Sequence, residues 1–194
     1  MKIGVLALQG DFREHRISLE KLGADVSEVR LPEHLDGLSG LIIPGGESTA
    51  IGKLMVAYGL LEAIQAFGKT KAIWGTCAGA ILLSKNTGSK QPLLELMDIT
   101  VQRNAFGRQV DSFEIDLPVL FLNPSAPDYH LTFIRGPIIT EVYGRAQPLL
   151  SLPDGRIIAA QQGKLLATSF HPELTGDLRF HRYFLELALS ESVN

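Results

Sequence analysis

The stretch 73-IWGTCAGAIL-82 decides the fold, because the only cysteine of the 194-residue chain lies in it between two glycines. The apolar run before the cysteine is typical of a buried strand, and the residues from Ala78 to Leu83 begin a helical pattern. Gly75-Thr76-Cys77-Ala78-Gly79 therefore has the form G-x-C-x-G between a strand and a helix. This is the layout of a nucleophile elbow with Cys in place of Ser.

An elbow would place the side chain of Cys77 at the carboxyl edge of the sheet, where open α/β sheets bind ligands. The start of a helix favours a thiolate over a thiol, and the N–H of Ala78 could donate to an oxyanion. A lone cysteine is, however, usually a small buried hydrophobe. The glycines alone do not decide between a nucleophile and a structural cysteine, so a partner base has to decide it.

Strand–turn–helix units repeat along the first half of the chain. Apolar runs predict four strands, at 2–8, 25–30, 40–46 and 71–74. The helices between them are predicted from apolar residues at helical spacing, with Ser48 as the N-cap of the second helix. The expected core positions are Phe12, His15, Leu19 and Leu22 in the first helix, and Ile51, Leu54, Met55 and Tyr58 in the second. Such a repeat predicts a parallel sheet covered on both faces.

The second half of the chain consists mostly of short strand patterns with turns between them. These patterns lie at 98–102, 113–121, 131–135, 137–144, 155–162 and 164–170. A last helix is predicted from Asp177 to Leu189, with Phe180, Tyr183, Phe184 and Leu187 as its core stripe. We therefore expect residues 1–194 to form a single α/β domain of three layers, with a central mixed, mostly parallel sheet.

Composition and charge exclude several classes of function. The formal net charge is −3 with no block of like charge, so nothing indicates binding to nucleic acid, whose backbone attracts clustered Lys and Arg. The first apolar run stops at Gln9, which is too short for a signal sequence, and no run approaches membrane-spanning length. A single cysteine allows no intrachain disulfide, which suggests a reducing compartment. We expect a cytoplasmic protein without membrane contact.

A candidate base lies in "SFHPEL" (169–174), after an apolar strand. Pro172 restricts His171 to an extended conformation, and residues i and i+2 of an extended segment point the same way. Glu173 could therefore hold one tautomer of His171 and stabilise its imidazolium. The alternative is a capped turn before the last helix. The other histidines lack this arrangement and are expected to be structural or solvated: His15, His34, His130 and His181.

A metal site is the second alternative for these residues. Cys77, His171 and Glu173 are all possible zinc ligands. The sequence has no C-x-x-C and no H-x-x-x-H spacing, and a catalytic zinc site needs three ligands with supporting second shells. The order Cys…His-x-Glu suits a nucleophile with its base and orienter better than a metal centre.

A second glycine turn, "PGGEST" (44–49), ends the third predicted strand. Adjacent glycines let the backbone approach a ligand closely, and the N–H groups of Gly45 and Gly46 could supply the second half of an oxyanion hole. A phosphate loop is the alternative, but the G-x-x-x-x-G-K-[ST] pattern is missing. An ordinary turn is the other alternative, and the turn by itself does not exclude it.

Together these segments resemble the class I (triad) glutamine amidotransferases. The resemblance rests on "LALQGD" (6–11), "PGGEST" (44–49), "GTCAG" (75–79), "RNAFGRQVDSFE" (103–114) and "SFHPEL" (169–174). Within that family the match is to the glutaminase subunits of pyridoxal 5′-phosphate synthases, and it covers essentially the whole chain in order. Cys with H-P-E specifies only the superfamily, whereas "LQG", "GGEST" and "RN-x-FGRQ" specify the subfamily.

The resemblance implies a role for each matched residue. The triad would be Cys77, His171 and Glu173. Glutamine would be held by Gly46, Glu47, Ser48, Arg103, Ile134 and Arg135. The oxyanion region would include Gly45, Gly46, Ala78 and Gln9. An arginine is a natural partner for the α-carboxylate of a free amino acid, although without the resemblance Arg103 and Arg135 would be taken as solvated surface charges.

The resemblance also implies the reaction and the partner. L-Glutamine would be hydrolysed to glutamate and ammonia through a thioester, with no metal and no organic cofactor. Ammonia would pass to a (β/α)-barrel synthase subunit that builds pyridoxal 5′-phosphate. Two alternatives remain open: a stand-alone cysteine hydrolase acting on peptides or γ-glutamyl substrates, and a non-catalytic binding module or metal site that kept the fold.

Overall fold

The fold is built around one mixed sheet. The computed structural model of the protein describes residues 1–103, 112–123 and 125–190. Its strands are β1 (Lys2–Leu6), β2 (Asp25–Val29), β3 (Gly40–Ile43), β4 (Ala72–Thr76), β5 (Ser84–Asn86), β6 (Met97–Gln102), β7 (Ser112–Leu117), β8 (Tyr129–Ile134), β9 (Ile138–Val142), β10 (Gln147–Ser151), β11 (Ile157–Gln162) and β12 (Leu165–Thr168). Its helices are α1 (Phe12–Lys21), α2 (Ser48–Ala57), α3 (Leu60–Phe67), α4 (Ala78–Leu83) and α5 (Arg179–Leu189), and short 3₁₀ turns span Pro32–Leu35 and Pro172–Leu174.

The central sheet has the strand order β2-β1-β3-β4-β12-β11-β9-β6-β5, and β10 pairs with β11. The strands from β2 to β12 in this order are all parallel, whereas β11 is antiparallel to β12 and β6 is antiparallel to β9. β7 and β8 form a separate antiparallel ribbon. The predicted α/β fold with a mixed sheet is confirmed, and the parallel half is the half built from strand–helix units.

Both faces of the sheet are covered. One apolar cluster joins the sheet to α2, α3 and α4, and a second joins the other face to α1 and α5. The neighbours Ile73 and Trp74 on β4 are both fully buried and belong to different clusters. Because side chains alternate across a strand, the burial of every residue of β4 means that both faces of this strand are covered.

Two details of the second predicted helix are wrong. Glu47, and not Ser48, is the N-cap of α2, because its carboxylate accepts hydrogen bonds from the amides of Thr49 (3.1 Å) and Ala50 (2.7 Å). Tyr58 is 50% exposed rather than in the core. It follows the last residue of α2, and Gly59 then turns the chain with φ of +68° into the separate helix α3.

The other predicted elements agree with the structure, with strand ends that differ by a few residues. The helix α3, the strands β5 and β10 and the 3₁₀ turn at Pro32–Leu35 were not predicted. The motif at 103–114 lies largely outside the described residues, since positions 104–111 are among those not described. In the described part of the chain no single helix is long and apolar enough to span a membrane. Together, α2 and α3 have the length and composition of a membrane span, but they meet at a bend of 98°.

Candidate active site

Cys77 occupies the turn between β4 and α4, as the G-x-C-x-G pattern predicts. Its backbone has φ of 48° and ψ of −103°, a conformation that residues with side chains rarely adopt and that is common at functional sites. The amide of Cys77 donates to the carbonyl of Thr168 on β12 (2.8 Å), and the amide of Ala80 donates to the carbonyl of Cys77 (3.1 Å). The strained turn is therefore tied to the sheet on one side and to α4 on the other.

The two glycines of the motif are explained by close backbone approach. A methyl group at Gly79 would lie 2.0 Å from the carbonyl oxygen of Ile43, and one at Gly75 would lie 2.4 Å from the backbone of Gly79. Any side chain at either position would push α4 away from β3 and β4. The two glycines are therefore required by the close packing of the start of α4 against the end of the sheet.

His171 and Glu173 form a buried pair at the same edge. Nδ1 of His171 lies 2.7 Å from Oε1 of Glu173, and both residues are less than 10% exposed. The amide of His171 donates to the carbonyl of Thr132 on β8 (2.9 Å), and Pro172 opens the 3₁₀ turn that carries Glu173. The i, i+2 placement expected from Pro172 is thus observed, although through a short helical turn rather than a fully extended segment.

The electrostatics of His171 favour an imidazolium. Burial by itself would lower the pKa of His171, but hydrogen bonding and charge from Cys77 and Glu173 raise it to about 10. Burial raises the pKa of Glu173, and the hydrogen bond from His171 opposes that rise. Nδ1 of His171 is taken by Glu173, so the influence of Cys77 acts at the other ring nitrogen, Nε2, which is buried and has no other hydrogen-bond partner among the described residues. This nitrogen is the ring atom left to exchange a proton with the thiol of Cys77.

The second glycine turn lies against the end of β1. The amide of Asp11 donates to the carbonyl of Gly45 (3.1 Å), and Oε1 of Gln9 accepts from the amide of Glu47 (2.8 Å). Because a trans peptide carries its C=O and N–H on opposite sides, the N–H of Gly46 points away from Asp11. A methyl group at Gly45 would lie 2.6 Å from Cε1 of His171, so the turn and the base are in close packing contact.

The predicted residues come together around one cavity of about 560 Å³. All of the predicted catalytic and substrate-binding residues except Gly45 and Glu173 line it. Its lining is Gln9, Asp11, Gly46, Glu47, Ser48, Cys77, Ala78, Ile81, Arg103, Ile134, Arg135, His171 and Leu174. Glu173 is excluded because it lies behind His171, and Gly45 because it lies behind Gly46 and touches the imidazole.

Arg103 and Glu47 are paired on the wall of this cavity. A guanidinium nitrogen of Arg103 lies 3.1 Å from Oε1 of Glu47, and a second bonds to Thr49 (3.1 Å) and Gln91 (2.9 Å). The hydroxyl of Ser48 also donates to the amide oxygen of Gln91 (3.3 Å). The cavity wall therefore presents one cation and one anion side by side, which suits a zwitterionic ligand.

Ile134 and Arg135 close the cavity from the end of β8. Arg135 has a positive φ of 48°, and the carbonyl of Ile134 lies 4.0 Å from the sulfur of Cys77. Ile134 is 43% exposed. Its main chain therefore faces the sulfur, while much of its apolar side chain remains in contact with solvent.

The zinc alternative is not supported by the positions of the ligands. Within the described residues, the cluster able to surround an ion is Asp11, His171 and Glu173, and it does not contain Cys77. In that cluster, Nδ1 of His171 is already hydrogen-bonded to Glu173. Zinc would need this nitrogen deprotonated and free, whereas the raised pKa of His171 favours the protonated ring.

Three residues of the site were missed or misread from the sequence. Asp11 lies 3.6 Å from Nδ1 of His171, and His15, expected to be structural or solvated, lies 3.3 Å from Oε2 of Glu173. His181 bonds to His15 at 3.0 Å. The sequence carries no local signal for any of these contacts, because Glu173 is far along the chain from His15 and is reached only through the fold.

The whole chain is similar to known proteins. It matches the SNO glutamine amidotransferase family over residues 5–190. It is similar to the pyridoxal 5′-phosphate synthase subunit PdxT of Herpetosiphon aurantiacus, 58% identical over 192 residues, and to that of Roseiflexus castenholzii, 53% identical over 191 residues; each alignment covers 96% of this chain and 100% of the relative. A crystal structure described as a glutamine amidotransferase is similar with a TM-score of 0.90 and 50% identity, over 96% of this chain and 98% of that one.

Proposed function

Because this chain belongs to the SNO glutamine amidotransferase family, we propose that it hydrolyses L-glutamine to glutamate and ammonia as the glutaminase subunit of a pyridoxal 5′-phosphate synthase. One observation carries the chemistry: the strained turn at Cys77 lies beside a histidine whose Nδ1 is 2.7 Å from a buried carboxylate. This is the arrangement of a nucleophile, a base and an orienter. The glutaminase domain is proposed to span residues 1–194.

In the first half of the reaction, Nε2 of His171 takes the proton of the Cys77 thiol. The sulfur attacks the side-chain amide carbon of glutamine and the carbonyl oxygen becomes an oxyanion. His171 then gives the proton to the amide nitrogen, which leaves as ammonia, and a thioester to Cys77 remains. Glu173 keeps the Nδ1–H of His171 in place and stabilises the imidazolium while it exists.

In the second half, His171 removes a proton from water, which attacks the thioester carbon. The second oxyanion collapses, the C–S bond breaks, and the sulfur recovers a proton from His171. The sum is glutamine plus water to glutamate plus ammonia. No step needs a metal or an organic cofactor, since the protein supplies both the nucleophile and the proton carrier.

The oxyanion is proposed to bind backbone N–H groups. The N–H of Ala78 is the first amide of α4, and such amides have no partner inside the helix. The Gly45–Gly46 turn supplies the second donor, and Gln9 fixes this turn through the amide of Glu47 (2.8 Å). Each donor of such a pair contributes roughly 100- to 1000-fold to turnover.

Glutamine is proposed to bind against the paired charges of the cavity wall. Its α-carboxylate would meet Arg103 or Arg135, and its α-ammonium would meet Glu47 or the carbonyl groups near Ile134. The pairing of Arg103 with Glu47 at 3.1 Å keeps both charges in place when the cavity holds no substrate. Ser48 and Gly46 would face the substrate from the glycine turn.

The partner is proposed to be a (β/α)-barrel synthase subunit, which would receive the ammonia without its release to solvent. The two PdxT relatives are each a subunit of a synthase, and this supports an assembly of at least two kinds of chain. A single free thiol is in keeping with a reducing compartment, for which we propose the cytoplasm.

The test is glutamate release from L-glutamine by the purified chain, with and without the synthase subunit. Cys77→Ala should abolish turnover with the fold intact, because alanine fits any site that holds a cysteine. His130→Asn is the control, since His130 is a surface histidine that bonds to Asp116 at 2.7 Å and should leave turnover unchanged. Turnover of γ-glutamyl peptides or other peptides but not of glutamine would point to the hydrolase alternative, and turnover retained in Cys77→Ala would refute the triad.

A further inference from the structure

A chain of buried histidines continues behind the triad. Nε2 of His15 on α1 lies 3.3 Å from Oε2 of Glu173 and 3.1 Å from the hydroxyl of Thr76. Nδ1 of His15 lies 3.0 Å from Nε2 of His181 on α5. Both histidines are 0% exposed. The rings of His15 and His181 pack edge-on against Trp74, with centroids 5.6 and 5.0 Å away, so their positions are fixed by the core.

Each of these two rings is neutral. Burial lowers the pKa of His15 well below its ordinary value, and the neighbouring imidazoles of His181 and His171 lower it further. Burial lowers the pKa of His181 to about 3. A neutral imidazole carries one N–H and one acceptor nitrogen, and which is which depends on its hydrogen-bond partners.

The partners select one tautomer. A carboxylate oxygen only accepts hydrogen bonds, so Nε2 of His15, 3.3 Å from Oε2 of Glu173, must carry the proton, and the hydroxyl of Thr76 can accept from the same N–H at 3.1 Å. Nδ1 of His15 is then an acceptor, and it requires the N–H of His181 at Nε2. The opposite assignment would set a lone pair against the Glu173 carboxylate and would leave a buried N–H at Nδ1 of His181, which has no hydrogen-bond partner among the described residues.

Oε2 of Glu173 lies next to His15. Its partner oxygen Oε1 bonds to His171, but within the described residues Oε2 has no hydrogen bond of good geometry, and the Nε2–H of His15 is the donor placed near it. A buried carboxylate without compensating donors prefers to take up a proton. A neutral Glu173 would no longer stabilise the imidazolium of His171.

We propose that His15 and His181 are positioning residues of the triad: His15 holds Glu173 ionised and oriented from the side opposite His171, and His181 fixes the tautomer of His15 that does so. The inference deepens the proposed glutaminase function and rests on it. Neither ring lines the cavity, so both act through Glu173 and not on the substrate.

The test combines glutamine kinetics with the pH dependence of Cys77 alkylation by iodoacetamide. His15→Phe keeps the ring volume and removes the hydrogen bonds to Thr76 and His181 together with the contact to Glu173. Loss of the donor raises the pKa of Glu173, weakens the imidazolium of His171, and so moves thiolate formation at Cys77 to higher pH. We expect the alkylation midpoint to rise by about one pH unit and kcat to fall about tenfold, with an unchanged KM for glutamine.

Two further variants separate positioning from packing. His15→Gln places an amide N–H near the position of Nε2 and should restore most of both effects. His181→Phe leaves the donor in place but frees the tautomer of His15, so it should move the midpoint in the same direction by less. Leu19→Ala is the matched control on α1: it removes fully buried core volume and should lower stability without moving the midpoint.

Other titratable groups near Glu173 could contribute to the profile and are the same in every variant. They are Cys77, His171, Asp11, Glu14 and Tyr129. An alkylation midpoint that is unchanged in both His15→Phe and His181→Phe would overturn the proposal, as would a Leu19→Ala variant that moves it equally. If the wild type does not hydrolyse glutamine, the proposed function fails, but the alkylation profile still decides whether His15 acts on the triad.

Discussion

The substitution Glu173→Gln tests the triad at its buried carboxylate. The carboxylate of Glu173 is 0% exposed and lies 2.7 Å from Nδ1 of His171. Glutamine has almost the same shape but no charge, and it replaces one acceptor oxygen with an N–H₂ group. His171 and His15 each face one oxygen of this side chain. The oxygen of the new amide can therefore accept from only one histidine, and its N–H₂ group faces the N–H of the other.

The magnitude follows from these two losses. A hydrogen bond to a charged partner contributes roughly 1.5–3 kcal/mol, and a buried donor left without an acceptor costs about 1–3 kcal/mol. Part of the cost of the unpaired donor is already present in the resting enzyme and so does not lower kcat. With about 1.4 kcal/mol for each factor of ten, we expect kcat to fall roughly 100- to 1000-fold. His171→Asn should lose more, at least about 10⁴-fold, because the proton carrier itself is gone.

The assay is steady-state glutamate release, with glutamine binding measured calorimetrically on the Cys77→Ala background. Binding should be unchanged by Glu173→Gln, since the side chain does not line the cavity. Glu141→Gln is the matched control, because the same chemical change is made at an exposed carboxylate that bonds to Thr100 at 2.7 Å. A Glu173→Gln enzyme as active as the wild type would show that Glu173 does not orient the base, and a loss equal to that of His171→Asn would show that it does more than orient.

Three more predictions concern the substrate-binding arginine, the buried His181 and the oxyanion donors. Arg103→Ala should weaken glutamine binding about 10- to 100-fold, the value of a charge-assisted contact to the α-carboxylate. The calorimetric control is Arg156→Ala, at a surface arginine 2.6 Å from Asp154, and an unchanged dissociation constant in Arg103→Ala would remove Arg103 from the site. The free energy of unfolding should fall as the pH drops from 6.5 towards 3, because the unfolded chain protonates His181 while burial holds its folded-state pKa at about 3. His181→Phe should flatten this part of the stability curve, and an equal slope in the variant would contradict the assignment to His181. The isolated subunit should be slower than the assembled synthase, roughly 100- to 1000-fold if one oxyanion donor is missing in isolation; equal rates would mean that the hole is complete without the partner.

Local chemistry accounts for what could be predicted from the sequence. The elbow was predictable because Gly75, Cys77 and Gly79 form a compact pattern directly between a strand and a helix, even though the contact that requires Gly79 is with Ile43 on β3. The pairing of His171 with Glu173 was predictable because Pro172 fixes the geometry between them. The parallel half of the sheet was predictable because strand and helix periods alternate there.

The parts that escaped prediction depend on contacts between distant segments or on weak local signals. His15 occupies a core position of α1, and nothing near it in sequence indicates that the core at that point is a carboxylate and another histidine 166 residues away. Glu47 replaces Ser48 as the N-cap because its longer side chain folds back onto the amides of Thr49 and Ala50, which a preference for small polar caps does not foresee. β5 has only three residues, and β10 has no buried residue to give it an apolar pattern.

The unit formed by β1 and α1 ties the two halves of the site together. Gln9 holds the glycine turn through the amide of Glu47, and the amide of Asp11 holds the carbonyl of Gly45. Four residues after Asp11, His15 reaches the carboxylate of Glu173 on the other side of the base. A flip of the Gly45–Gly46 peptide would have to break the Asp11 bond, and a shift of α1 along its axis would disturb that bond and the His15 contact together. A partner that docks on α1 would therefore act on the oxyanion donors and on the base through one rigid element, which is a physical reason to expect the activity of this chain to depend on the proposed synthase subunit.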